Sequence, residues 1–85
     1  MAWQWIIDGK AAKNLKKLPM DGSSRIINKL DYWVGSGKPS EFAENLTNSE
    51  LGGYRFRVGD YRIIFDVEGE NIVVLAVGHR REIYK

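Results

Sequence analysis

Arg55, Arg57 and Arg62 stand around the dipeptide Gly59-Asp60, inside a run that otherwise alternates with apolar residues. A guanidinium keeps its charge in any ordinary environment and forks onto two phosphate oxygens at once. Arginines gathered in one place can therefore hold a phosphodiester and stabilise charge that grows on it. Pairing arithmetic says whether they gather. With Gly59-Asp60 as a two-residue hairpin loop, Val58 faces Tyr61, Arg57 faces Arg62 and Arg55 faces Ile64. Directly opposed residues share a face and side chains alternate along a strand. All three arginines then lie on one face, and Tyr54, Phe56, Val58, Tyr61, Ile63, Phe65 and Val67 lie on the other. Arg57 and Arg62 side by side is an unfavourable pair, and a fold that keeps it usually has an anion, a carboxylate or a partner to meet it.

Further chemistry-bearing residues follow in the last segment: His79, Arg80, Arg81 and Tyr84. A regular turn over residues 68–71 would set Val77 beside Arg62 and bring this segment to the same region. Gly78 is a candidate bulge, and a bulge changes which side chains face in, so register leaves open whether Arg80 or Arg81 joins the other arginines. Against the phosphate reading stands a plainer one: arginines on an exposed sheet face that stay solvated or pair with Asp60, Asp66 or Glu82.

The elements that must position these residues can be read from pattern. Residues 3–7, rich in aromatic and β-branched side chains, read as a strand. Asp8 offers a helix N-cap. Ala11, Leu15 and Leu18 mark one face of a helix over residues 10–18, which Pro19 ends. Asp21 is a second candidate N-cap. Ile26, Ile27, Leu30, Trp33 and Val34 then carry a second helix, stopped at Gly35-Ser36-Gly37. The short connection makes an antiparallel helical hairpin. Residues 38–53 read as irregular, with one helical turn between Pro39 and Asn45. Strands are expected at 54–58, 61–67 and 72–77, with Gly78 breaking the last and residues 80–84 forming a strand or a tail. The class is α+β: an N-terminal strand, then an antiparallel helical hairpin packed on a twisted antiparallel sheet, in the order βααβββ.

Eighty-five residues make a single domain, 1–85. There is no cysteine and one histidine, so ten aromatic residues and other apolar packing must hold the core without disulfide or metal staples. No metal site and no cofactor is expected. The net charge of +2 is too small to announce a nucleic-acid binder. Residues 1–49 carry seven basic and five acidic groups and residues 50–85 six of each, so any basic patch must be made by folding. The opening residues have no basic start before their short apolar run and no long apolar segment follows. The expectation is a soluble, cytoplasmic chain with no membrane contact.

Two stretches give the chain a familiar look. Residues 51–65, LGGYRFRVGDYRIIF, resemble the central signature of the RelE/ParE toxins, and residues 73–84, VVLAVGHRREIY, resemble their C-terminal signature. The order of helices and strands agrees as well. The resemblance implies a RelE-like fold and a toxin of a type II toxin–antitoxin pair. In the RelE-like branch, which it favours, the activity is metal-independent endoribonuclease cleavage of messenger RNA in the ribosomal A site (an mRNA interferase), which inhibits translation. It also implies a cognate antitoxin, with operator DNA reached only through that antitoxin.

Carried over by position, Arg55 and Arg57 fall where that branch often has lysine. Arg62 falls on a phosphate-binding arginine, Arg80 on one that acts on the transition state, and Tyr84 on a tyrosine that stacks on a base. Arg81 is a further phosphate contact. Arginine is a poor general base, so the base is unassigned; orientation and charge stabilisation carry more of the work, and His79 is a candidate acid–base group. The competing readings are a surface histidine, a tyrosine packed on the sheet edge, and helix lysines (Lys10, Lys13, Lys16, Lys17) that form a solvated face rather than touch RNA. Trp3, Trp5 and Trp33 read as structural, with Trp3 and Trp5 also able to line an antitoxin groove. The alternatives for the whole protein are a ParE-like inhibitor of DNA gyrase, or an inactive relative that only binds antitoxin and co-represses its operon.

Overall fold

A computed structural model describes residues 2–46 and 51–83. The elements run β1 (Gln4–Ile7), α1 (Gly9–Lys16), α2 (Met20–Gly35), a 3-10 turn (Pro39–Phe42), β2 (Glu44–Asn45), β3 (Tyr54–Val58), β4 (Tyr61–Glu68) and β5 (Asn71–His79). The Asp8 carboxylate accepts from the Ala11 amide at 3.0 Å and starts α1 as expected. Asp21 does not cap α2. Pro19 is the N-cap and Asp21 lies inside the first turn. Proline already holds φ near the helical value, so α2 starts directly behind it; an acid in the first turn still favours the helix dipole.

The sheet order is β1-β5-β4-β3-β2. The hairpin pairs as the arithmetic requires, with Val58 opposite Tyr61, Arg57 opposite Arg62 and Arg55 opposite Ile64. Gly59 adopts φ +57°, a left-handed turn conformation that glycine takes without strain. Strands β2 to β5 pair antiparallel, while β1 runs parallel to β5 at the sheet edge.

Two expectations about β5 are corrected. Gly78 does not break the strand, which runs to His79. The bulge lies earlier: Ile64 pairs with Ala76 and Phe65 with Val74, leaving Leu75 as the extra residue. One added residue shifts every later partner by one. Gly78, not Val77, therefore stands opposite Arg62, and Val74 and Val77 both turn to the helices. Residues 80–83 form a turn rather than a strand.

The core lies between the helices and one sheet face. Gly22, Ile26, Leu30 and Trp33 are the buried stripe of α2, and meet Phe56, Val58, Ile63, Phe65, Ile72, Val74 and Val77. Trp33 stacks on Phe56 at 4.0 Å and Phe56 on Phe65 at 4.2 Å. Stacked pairs of this kind contribute about 0.5–1.5 kcal/mol each beyond the area they bury. Trp3 and Trp5 pack on the rim of this core, and Trp5 Nε1 donates to Asp31 Oδ1 at 2.8 Å, tying β1 to α2. Burying one face so fully leaves the arginine face as the side without helices.

Candidate functional site

The site is built from β3, β4, the turn between them, and the short β2. Alternation puts Arg55 and Arg57 on the helix-free face of β3, and the register adds Arg62 from β4. Arg62 is almost wholly buried, at 6 % exposure. Its guanidinium folds back over the hairpin end, where one Nη donates to the carbonyls of Gly59 and Tyr61, each at 2.9 Å. Charged donors to backbone carbonyls are among the stronger hydrogen bonds, so the turn fixes the arginine.

Arg55 and Arg57 share one carboxylate. Glu44 stands directly opposite Arg55 in the β2–β3 pair. Its Oε2 accepts from Arg55 at 2.5 Å and its Oε1 lies 3.3 Å from Arg57. The hydrogen bond from Arg55 holds the Glu44 carboxyl below its ordinary value of 4.5. Desolvation works the other way, and the charges of Arg55, Arg57 and Arg62 add to the lowering. Arg57 keeps 60 % of its side chain exposed despite the contact.

The C-terminal turn supplies the next arginine. The Arg80 amide donates to the Asp60 carbonyl at 2.7 Å, one step past the His79–Tyr61 pair. The Arg80 side chain reaches Asp60 Oδ1 at 3.6 Å and stays 52 % exposed. Arg80 thus meets the Gly59-Asp60 hairpin end, where the Gly59 carbonyl also holds Arg62. Arg81 is exposed, and its backbone amide donates to His79 Nδ1 at 3.2 Å.

His79 stands opposite Tyr61, on the helix-side face, with the two rings edge to face at 6.2 Å. Arg62 faces the other way. The register thus brings Arg55, Arg57 and Arg62 to one side and His79 to the opposite side, and Arg80 meets Asp60 at the hairpin end. Tyr84 lies outside the described residues. Among the described residues, no group of three His, Cys, Asp or Glu side chains could hold a metal ion, and no helix is long and apolar enough to cross a membrane.

Glu44 is the site residue that sequence reading missed. It sits on a two-residue strand behind a 3-10 turn, too short for any periodicity to show. Of the acids that the sequence offers, Asp60 lies 3.6 Å from Arg80, while Asp66 accepts from the Gly53 amide at 2.6 Å. The signal that would have found Glu44 is the arginine pair itself, which demands a carboxylate on a neighbouring strand.

Residues 6–84 match the family described as the ParE toxin of the type II toxin–antitoxin system parDE. The chain belongs to the ParE toxin family. Solved structures agree at the level of the RelE/ParE superfamily. The RelBE2 toxin–antitoxin complex of Mycobacterium tuberculosis gives a TM-score of 0.81 at 20% identity, covering 94% of this chain and 100% of that one. The RelB–RelE antitoxin–toxin complex of Methanococcus jannaschii gives 0.73 at 27%, covering 93% and 94%. The RelE–RelB complex of Pyrococcus horikoshii gives 0.73 at 26%, covering 96% and 99%. Comparison with curated protein sequences gives no match. This ParE-family chain is thus a toxin of the type II toxin–antitoxin kind, with the α+β fold that the RelE structures share.

Proposed function

We propose that this toxin cleaves messenger RNA in the ribosomal A site, and that a cognate antitoxin holds it silent. The observation that carries the reading is the arrangement around Arg62: a buried guanidinium fixed by the Gly59–Tyr61 turn, flanked by the open guanidiniums of Arg57 and Arg80. Such a group suits a phosphodiester. The substrate's own 2′-hydroxyl loses its proton to solvent as it attacks the adjacent phosphorus, the bond to the 5′-oxygen breaks to leave a 2′,3′-cyclic phosphate, and the leaving oxygen takes up a proton. Arg62 and Arg80 hold the phosphate and stabilise the charge that grows on it. Arg55 and Arg57 bind along the backbone, with Arg81 at the rim. Tyr84 stacks on a base, a contact that tolerates any sequence. His79, on the far face, reaches the reaction only through a water or a change in the C-terminal turn. In this reading positioning and charge do most of the work, no cofactor takes part, and operator DNA is met only through the antitoxin.

A partner antitoxin is supported by the neighbours, whose solved forms are toxin–antitoxin complexes. A second reading has its own support, because the matching family is described as ParE: inhibition of DNA gyrase with no RNA cleavage. The two separate in one experiment. The free chain is added to a cell-free translation reaction and, in parallel, to a gyrase supercoiling assay. Translation should stop while supercoiling proceeds. The reverse pattern selects the gyrase reading. Silence in both, with antitoxin binding intact, selects a relative that only binds antitoxin and co-represses its operon.

A further inference from the structure

We propose that Glu44 is a built-in occupant of the arginine site, standing where an RNA phosphate would bind between Arg55 and Arg57. This rests on the reading of the arginine face as a phosphate site. The carboxylate gives one oxygen to each arginine, Oε2 to Arg55 and Oε1 to Arg57. Two acceptor oxygens bridging two guanidiniums is also how a phosphodiester presents its two non-bridging oxygens. Glu44 reaches this position from the edge of the sheet, on a strand of two residues. A contact held so lightly can yield.

The strength of the contact fits displacement rather than permanent closure. The Arg57 side chain is 60 % exposed, that of Arg55 23 % and the shared Glu44 44 %, and ion pairs with a solvent-exposed carboxylate shift an equilibrium by about fivefold each. A polyanion that engages several arginines together outcompetes that. Glu44 therefore lowers affinity for any short anion and leaves a long RNA backbone, anchored also at Arg62 and Arg80, able to enter. It acts as a selectivity-setting residue and not as part of the bond-breaking machinery.

The test is binding of a fluorescent single-stranded 2′-O-methyl RNA, which cannot be cleaved, by the free full chain across a salt series. Wild type is compared with Glu44→Gln, Glu41→Gln and Arg62→Ala. Glu41 is exposed on the neighbouring 3-10 turn, so its variant carries the same charge change away from the arginines. The expected result is about two- to fivefold tighter binding by Glu44→Gln, with the log–log salt slope unchanged because the same phosphates are engaged once the carboxylate is displaced. Glu41→Gln should show little tightening. Weaker binding by Glu44→Gln, with Arg62→Ala also weak, would overturn the proposal and make Glu44 a residue that orients the arginines. Equal tightening by both glutamine variants would overturn it too, leaving only net charge. If Arg62→Ala binds like wild type, the phosphate reading of the whole face fails first, and this inference with it.

Discussion

Arg57 and Arg62 lie directly opposite one another in the β3–β4 ladder, and neighbouring groups draw their guanidiniums to different places. Arg57 goes to Glu44 on the edge strand, and Arg62 goes back to the carbonyls of Gly59 and Tyr61. A like-charged cross-strand pair is ordinarily destabilising. Here each charge has found an oxygen of its own, which is how the sheet keeps both.

Removing Arg57 should therefore cost almost nothing in stability. It gives up one exposed ion pair and loses one repulsion. Arg57→Ala is expected to shift the unfolding free energy by about 0.5 kcal/mol or less in either direction. Chemical denaturation of wild type and variant checks this, and a loss of several kcal/mol would mean that Arg57 supports the fold in a way its exposure does not suggest.

Arg62 should behave differently. It is buried, and its hydrogen bonds satisfy two carbonyls of the turn. Arg62→Ala is expected to destabilise by about 1–3 kcal/mol as well as to end toxicity. Arg62→Lys keeps the charge but loses the planar fork, so it should recover part of the stability and little of the activity. Melting curves with growth assays at matched soluble level separate the two effects.

Glu44 sets an acid-side dependence. Its carboxyl is held below 4.5 in the folded chain, mainly by the Arg55 hydrogen bond. A depressed carboxyl contributes stability that is present above the unfolded value and lost as pH falls through the folded value. Wild type should thus exceed Glu44→Gln in stability at neutral pH, with the gap closing as pH drops below 4.5. A gap that widens on acidification would contradict the assigned contact.

Two glycines of α2 should respond in opposite ways to alanine. A Cβ on Gly22 would come within 2.7–3.0 Å of the tip of the Tyr61 ring and its hydroxyl, so the ring must shift off the helix. Gly22→Ala is expected to cost about 1–3 kcal/mol from overpacking. A Cβ on Gly35 meets nothing within 4 Å, and Gly35→Ala should stabilise by up to about 1 kcal/mol through helix propensity. Thermal melts of both variants decide it; equal behaviour would place α2 differently on the sheet.

Much of this was legible in the residues. The Gly59-Asp60 turn and strict alternation were enough to predict the arginine face, because period-two patterning and a two-residue loop leave one register. The helices announced themselves through Asp8, Pro19 and the stripe from Ile26 to Trp33. What stayed hidden depended on contacts between distant segments. The bulge at Leu75 has no local mark, since valine, leucine and alanine suit either face, yet it alone decides that Gly78 meets Arg62. The parallel pairing of β1 with β5 and the counter-charge from Glu44 are likewise set by tertiary packing.

If the arginine face cuts messenger RNA on the ribosome, as proposed, cutting depends both on translation and on the planar fork of Arg62. Primer extension on a reporter message in a cell-free translation reaction tests it most directly, with wild type and Arg62→Lys compared on translated and untranslated message. Cuts are expected within codons of the translated message only, made by wild type and largely absent with Arg62→Lys. Intact message in the presence of active, antitoxin-binding wild-type protein would contradict it.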